Sequence, residues 1–238
     1  MDQAQTLRKL MNGLEGRLFL TSTQIPVLSL VFASEDSSNI KTQKAFTQLL
    51  GSRGIKTLSI SSEFNHGEIM RESSTAWTVS PGTLLRSPLD ERDLSDRGIK
   101  AVLIDAKSGV DEERLCLYDR GHRTVVILTA NEMDRVAAYQ IIKSLQKRVG
   151  VKKVNVIVKG VEDEREGARV FTQLHELCCR FLDTELSYVG SISKSAQNDE
   201  KNQDRRFHPK FLLDYKTRSV LLADLEVVAR RLGLIPAQ

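Results

Sequence analysis

Six short runs rich in β-favouring residues recur along the chain, at 25–33, 55–61, 99–106, 123–130, 154–160 and 186–192, with helix-periodic stretches between them. Runs such as "IPVLSLVFA" and "AVLID" are apolar almost without interruption, so both faces of these strands need cover. Alternation of such strands with helices requires right-handed crossovers. The spacing therefore predicts an α/β fold, a mostly parallel sheet with helices on both faces. The helical period is clearest over 163–182, where Val170, Phe171, Leu174, Leu177, Cys178 and Phe181 make one stripe, which assigns Cys178 to the core. Leu221, Leu225, Val228 and Leu232 make a second stripe, stopped by Gly233.

A chain of 238 residues suits one sizeable core and is short for two. We divide it into a helix at 1–16 and an α/β domain at 17–238. In the first segment Leu7, Leu10, Met11 and Leu14 fall at i, i+3, i+4 and i+7, with Asp2 or Gln3 near the start as cap. A helix this short is marginal alone and is expected to fold against its own domain or a partner. Two aperiodic stretches, 62–97 and 193–206, read as exposed loops with one short element each at most.

Charge and cysteine usage narrow the class. Thirty-five basic and 31 acidic residues are mixed along the chain, which gives no reason to expect nucleic acid as a partner. The clusters Lys143, Lys147, Arg148, Lys152, Lys153 and Arg205, Arg206, Lys210 read as a solvated helix face and loop in preference to a phosphate-backbone patch. Cys116, Cys178 and Cys179 form no C-x-x-C pair, and the four histidines lack metal-ligand spacing, so a reducing compartment and no metal are expected. Charged Asp2, Arg8 and Lys9 precede any apolar run, and "IPVLSLVFA" is too short to span a bilayer. The expectation is a cytoplasmic protein.

In a parallel sheet ligands bind beyond the carboxyl ends of the strands, which groups the loops at 33–42, 61–68 and 105–110 as the expected site. The first, "SEDSSNIKT", ends in Lys-Thr like a phosphate-binding loop but contains no glycine, and β-branched Ile40 is poorly suited to a glycine conformation. Glu35 and Asp36 would meet an anionic ligand. One such repulsion near 4 Å costs roughly 4 kcal/mol at an effective dielectric near 20, or about three decades of affinity. The bland reading is a plain strand-turn-helix connection capped by Ser38 or Asn39.

With these residues in view, the chain resembles the MinD/ParA group of P-loop ATPases and, within it, the flagellar-number regulator branch called FlhG, FleN or YlxH. "DQAQTLR" at residues 2–8 fits that branch's DQAxxLR motif; "VLIDAKSGV", "VKGVEDEREGARVFTQL" and "FLDTELSYVGSI" follow in the family's order. The family's SGKGGVGKT aligns with Ser34 to Thr42, keeping the phosphate lysine as Lys41 and the magnesium-binding hydroxyl as Thr42, while its signature lysine is Asp36. The DxD switch becomes Ser61-Ser62-Glu63, the Walker B aspartate survives as Asp105, and the usual adenine-loop Asn is Lys159. After the final stripe only "LIPAQ" follows in this sequence, and no membrane-anchoring helix is expected.

The resemblance implies three readings. In the first, the chain is a pseudo-ATPase without a cofactor that binds an FlhF-like SRP-type GTPase through Asp2, Gln3, Leu7, Arg8 and Leu10. Gln3 then assists GTP hydrolysis, as an activator amide can. In the second, Lys41, Glu63 and Asp105 still serve catalysis, Thr42 and Asp105 hold magnesium, and Mg-ATP drives dimerisation. In the third, the chain is a scaffold for a flagellar C-ring protein or a transcription regulator. No Ser or Cys has an identifiable His and acid partner, so nucleophilic catalysis is not expected.

Overall fold

The structure is a computed structural model that describes residues 25–36, 38–61, 70–71, 73–80, 91–106, 123–194 and 215–236. Eight strands form one sheet: β1 (Val27–Phe32), β2 (Thr57–Ser61), β3 (Met70–Arg71), β4 (Ala76–Val79), β5 (Ala101–Ala106), β6 (Arg123–Thr129), β7 (Lys153–Val161) and β8 (Glu185–Ser193). Their order is β3-β4-β2-β5-β1-β6-β7-β8. All pairings are parallel except that of two-residue β3 with β4. Among the described residues five helices accompany them: α1 (Ser38–Ser52), α2 (Glu91–Asp96), α3 (Glu132–Val149), α4 (Glu164–Phe181) and α5 (Tyr215–Arg231).

Every residue of central β1 is buried, as its unbroken apolar run requires. On one face Leu28, Leu30, Phe32, Val125 and Ile127 pack with Phe46 and Leu50 of α1 and with the α5 stripe Leu221, Leu225, Val228 and Leu232. On the other, Val31, Val126 and Val156 meet Ile142 and Leu145 of α3 and Val170, Leu174 and Cys178 of α4. Leu94 of α2 closes that second face over Leu58, Ile60 and Val102. Cys178 is wholly buried, and burial pushes its thiol up to about 11.

Two expectations need correction. The stretch 62–97 is not simply an exposed loop, because β3, β4 and α2 lie in it and β4 extends the parallel sheet beside β2. Ala76, Thr78 and Val79 are buried there, while Arg97 stacks 5.5 Å from the ring centroid of Trp77. Four residues are too few to show a period among prolines and charges. Phe181, placed in the α4 stripe, is 67% exposed, because it is the last residue of the helix and the chain turns toward β8 immediately after it. The N-terminal segment and the loops around Glu63 and after Ala106 lie outside the described residues. Among those described, no helix is long and apolar enough to cross a membrane.

Candidate functional site: a self-paired phosphate loop

The connection from β1 to α1 is short. Ala33 N–H extends the ladder to Ile127 O at 2.8 Å, and the helix begins at Ser38, three residues before Lys41. Residues that a phosphate loop keeps as open backbone are therefore wound into the first turn of α1. Asp36, rather than the expected Ser38 or Asn39, serves the helix start: its Oδ1 accepts Ser38 N–H at 3.1 Å and its carbonyl accepts Asn39 N–H at 2.9 Å. A carboxylate suits that position, where orphan donors and the helix dipole carry positive charge. The Ser38 hydroxyl donates to Asp36 Oδ2 at 2.5 Å, and the Asn39 amide donates to Ser34 O at 2.8 Å.

Into this turn reaches Lys159, from two strands away in the sheet. Its Nζ lies 3.0 Å from Asp36 Oδ2, 3.0 Å from Ser38 Oγ and 2.5 Å from Asn39 Oδ1, so all three ammonium protons have acceptors. The residue is 1% exposed, and its charge also sits 5.7 Å from the Phe32 ring centroid. Gly160 follows at φ 74, in an irregularity of the β7–β8 register, where a side chain would be strained. Partial burial raises the Asp36 carboxyl, but the Ser38 hydroxyl and N–H and the Lys159 ammonium outweigh it and hold the group at about 2.

A second tether fixes the loop from the other face. Asp134, buried in the first turn of α3, accepts on Oδ2 from Ser34 Oγ at 3.0 Å, Thr129 N–H at 3.2 Å and Thr129 Oγ1 at 2.6 Å. Asn131 caps the same helix by accepting Met133 N–H at 2.9 Å. Nothing in the sequence marks Asp134 for this role, since an acid in the first turn of a helix is ordinary.

Of the residues picked from sequence, Lys41 and Thr42 share the first turns of α1 with this network. Lys41 is half-buried, and the buried Thr42 hydroxyl donates to Ser38 O at 3.0 Å within its own helix. Asp105 lies at the carboxyl end of β5, in register with Leu30 of β1 and Ser61 of β2, which places it at the expected edge of the sheet. Asp2, Gln3, Leu7, Arg8, Leu10 and Glu63 lie outside the described residues. Among described residues no group of three His, Cys, Asp or Glu side chains is placed to hold a metal ion. Toward an incoming phosphate this turn presents the exposed carboxylates of Glu35 and Asp36, N–H donors of Ser38 and Asn39 already engaged, the saturated ammonium of Lys159, and half-buried Lys41 three residues into α1. Together the described groups form an internal ion pair with its own hydrogen bonds.

No protein-family model matches the chain. Over 101 residues it is 28% identical to the antiactivator FleN of Pseudomonas aeruginosa, a match that covers 42% of this chain and 35% of that protein. The match thus spans about a third of the relative's length. Among solved structures, the MinD cell division protein of Aquifex aeolicus superposes with a TM-score of 0.53 at 11% identity, covering 90% of this chain and 98% of that one. A plasmid partition protein from Borrelia burgdorferi gives 0.54 at 10% identity, covering 90% and 100%. These likenesses show a MinD/ParA-type fold, with sequence similarity to FleN in part of the chain.

Proposed function

We propose that this MinD/ParA-type, FleN-like chain is a non-catalytic flagellar regulator that keeps the ATPase fold for its contacts rather than for nucleotide chemistry. The similarity to FleN supports the flagellar setting. The observation that carries the loss of ATP use is the Lys159–Asp36 pair, whose ammonium, hydroxyl and amide partners complete one another without a ligand. An incoming triphosphate would have to break that network and then face Asp36 and Glu35. In this reading Asp2, Gln3, Leu7, Arg8 and Leu10 bind an FlhF-like SRP-type GTPase, with the Gln3 amide assisting the transfer of the phosphoryl group to water.

The first test is thermal unfolding with Mg-ATP and Mg-ADP. A ligand at about 100 times its Kd would stabilise by roughly 2.7 kcal/mol and raise Tm by roughly 5–10 °C at this size. No shift at millimolar nucleotide is the expected result. A saturable shift abolished by Lys41→Ala would sink the proposal in favour of a divergent ATPase using Lys41, Thr42 and Asp105. GTP hydrolysis by the partner GTPase, measured with the wild-type chain and with Gln3→Ala, tests the activator role. Equal stimulation by both would remove it.

A further inference from the structure

The structure holds a second concave feature at the opposite end of the sheet, where β6, β7 and β8 begin. A cavity of about 560 Å³ is lined there by Arg123, Lys152, Lys153, Asn155, Ser187 and Arg231, among others. Two cross-strand register pairs, Lys153 with Glu185 and Asn155 with Ser187, lie side by side in its lining. Gly150, the left-handed cap that ends α3, and Leu232, just past α5, complete it. Four cationic side chains thus share the lining with a single carboxylate, and one of them, Arg231, is also paired at 3.0 Å with Glu164 outside it.

We propose that this cavity binds a small anion bearing a diphosphate group. Its volume falls in the range of pockets that hold a nucleotide-sized ligand, whereas a nucleic-acid backbone needs a long strip. One guanidinium is already oriented: Arg123 donates to Leu232 O and keeps its remaining N–H groups for a ligand. Among the described residues no carboxylate pairs with Arg123 or Lys152. Lys153 meets Glu185 at 3.0 Å in an exposed pair, which holds it in place at little energetic gain. Cations gather at the ends of helices to balance the dipole, and that accounts for Arg231 in the last turn of α5. It does not account for Arg123 or Lys153, which open strands, nor for Lys152, which precedes one.

The test is calorimetric titration of the full chain with inorganic pyrophosphate at low ionic strength, without magnesium. Saturable one-site binding is expected, weakened about tenfold or more by Lys152→Gln with Lys153→Gln and unaffected by Lys41→Ala. Arg123→Gln should weaken it as well; because Arg123 also fastens the end of α5, the lysine pair is the deciding variant. Absence of saturation at millimolar pyrophosphate, or equal binding by the lysine double variant, overturns the proposal. Loss of binding with Lys41→Ala alone would place the anion at the phosphate loop and overturn it too. A failure here leaves the self-paired loop untouched, since the two sites lie at opposite ends of the strands.

Discussion

Lys159 and Asp36 are unequal partners, the lysine side chain 2% exposed and the carboxylate 42%. Removing the carboxylate leaves a buried ammonium without a counter-charge, a loss of about 3 kcal/mol. Removing the ammonium leaves a carboxylate that water can reach, at about 1 kcal/mol. Asp36→Ala is therefore expected to lower the urea midpoint more than Lys159→Met; the reverse order would mean that the ammonium is hydrated. A pH effect follows as well. The Asp36 carboxyl titrates at about 2 in the fold against 3.8 for an ordinary aspartate, so its contribution is complete above about pH 4 and is lost as pH falls toward 2. Discounted for screening of so exposed a group, it amounts to on the order of 1 kcal/mol. Urea unfolding across that window should show a shallower loss for Asp36→Asn than for the wild type. From sequence, Asp36 and Lys159 are legible only as two separate departures from a family pattern. Nothing local joins residues 123 apart, and their mutual compensation becomes visible only once the sheet sets β7 two places from β1.

The helices and strands were legible wherever burial imposed a period over many residues. All six β-rich runs are strands, and the α5 stripe packs as its spacing dictates. Leu225 is 1% exposed, so Leu225→Ala should cost about 2–5 kcal/mol, whereas Val227→Ala, at a position 46% exposed, should stay within about 0.5 kcal/mol. Equal costs in equilibrium unfolding would show that α5 does not hold this face against the sheet. What escaped the sequence were elements too short for periodicity, β3, β4 and α2, and helix ends such as Phe181, where a residue can match the stripe yet have no neighbour to pack on. The start of α1 escaped for a different reason. Ser38 and Asn39 are good caps by type, but Asp36 serves the helix start instead, its side chain accepting the Ser38 N–H and its backbone carbonyl the Asn39 N–H.

At the level of the whole chain, a sheet of MinD/ParA type carries at its carboxyl end a loop whose own side chains pair with one another. Under the proposed function the oligomeric state should not respond to nucleotide, and gel filtration with and without Mg-ATP should give the same elution volume. An ATP-dependent change in size would restore the switch. The distance along the chain between Asp36 and Lys159 also has a consequence in time. A ribosome adding roughly 5–20 residues per second delivers the loop first and its lysine roughly 6–25 s later. For that interval the loop segment exists in each newborn chain without the cation that pairs with it in the fold.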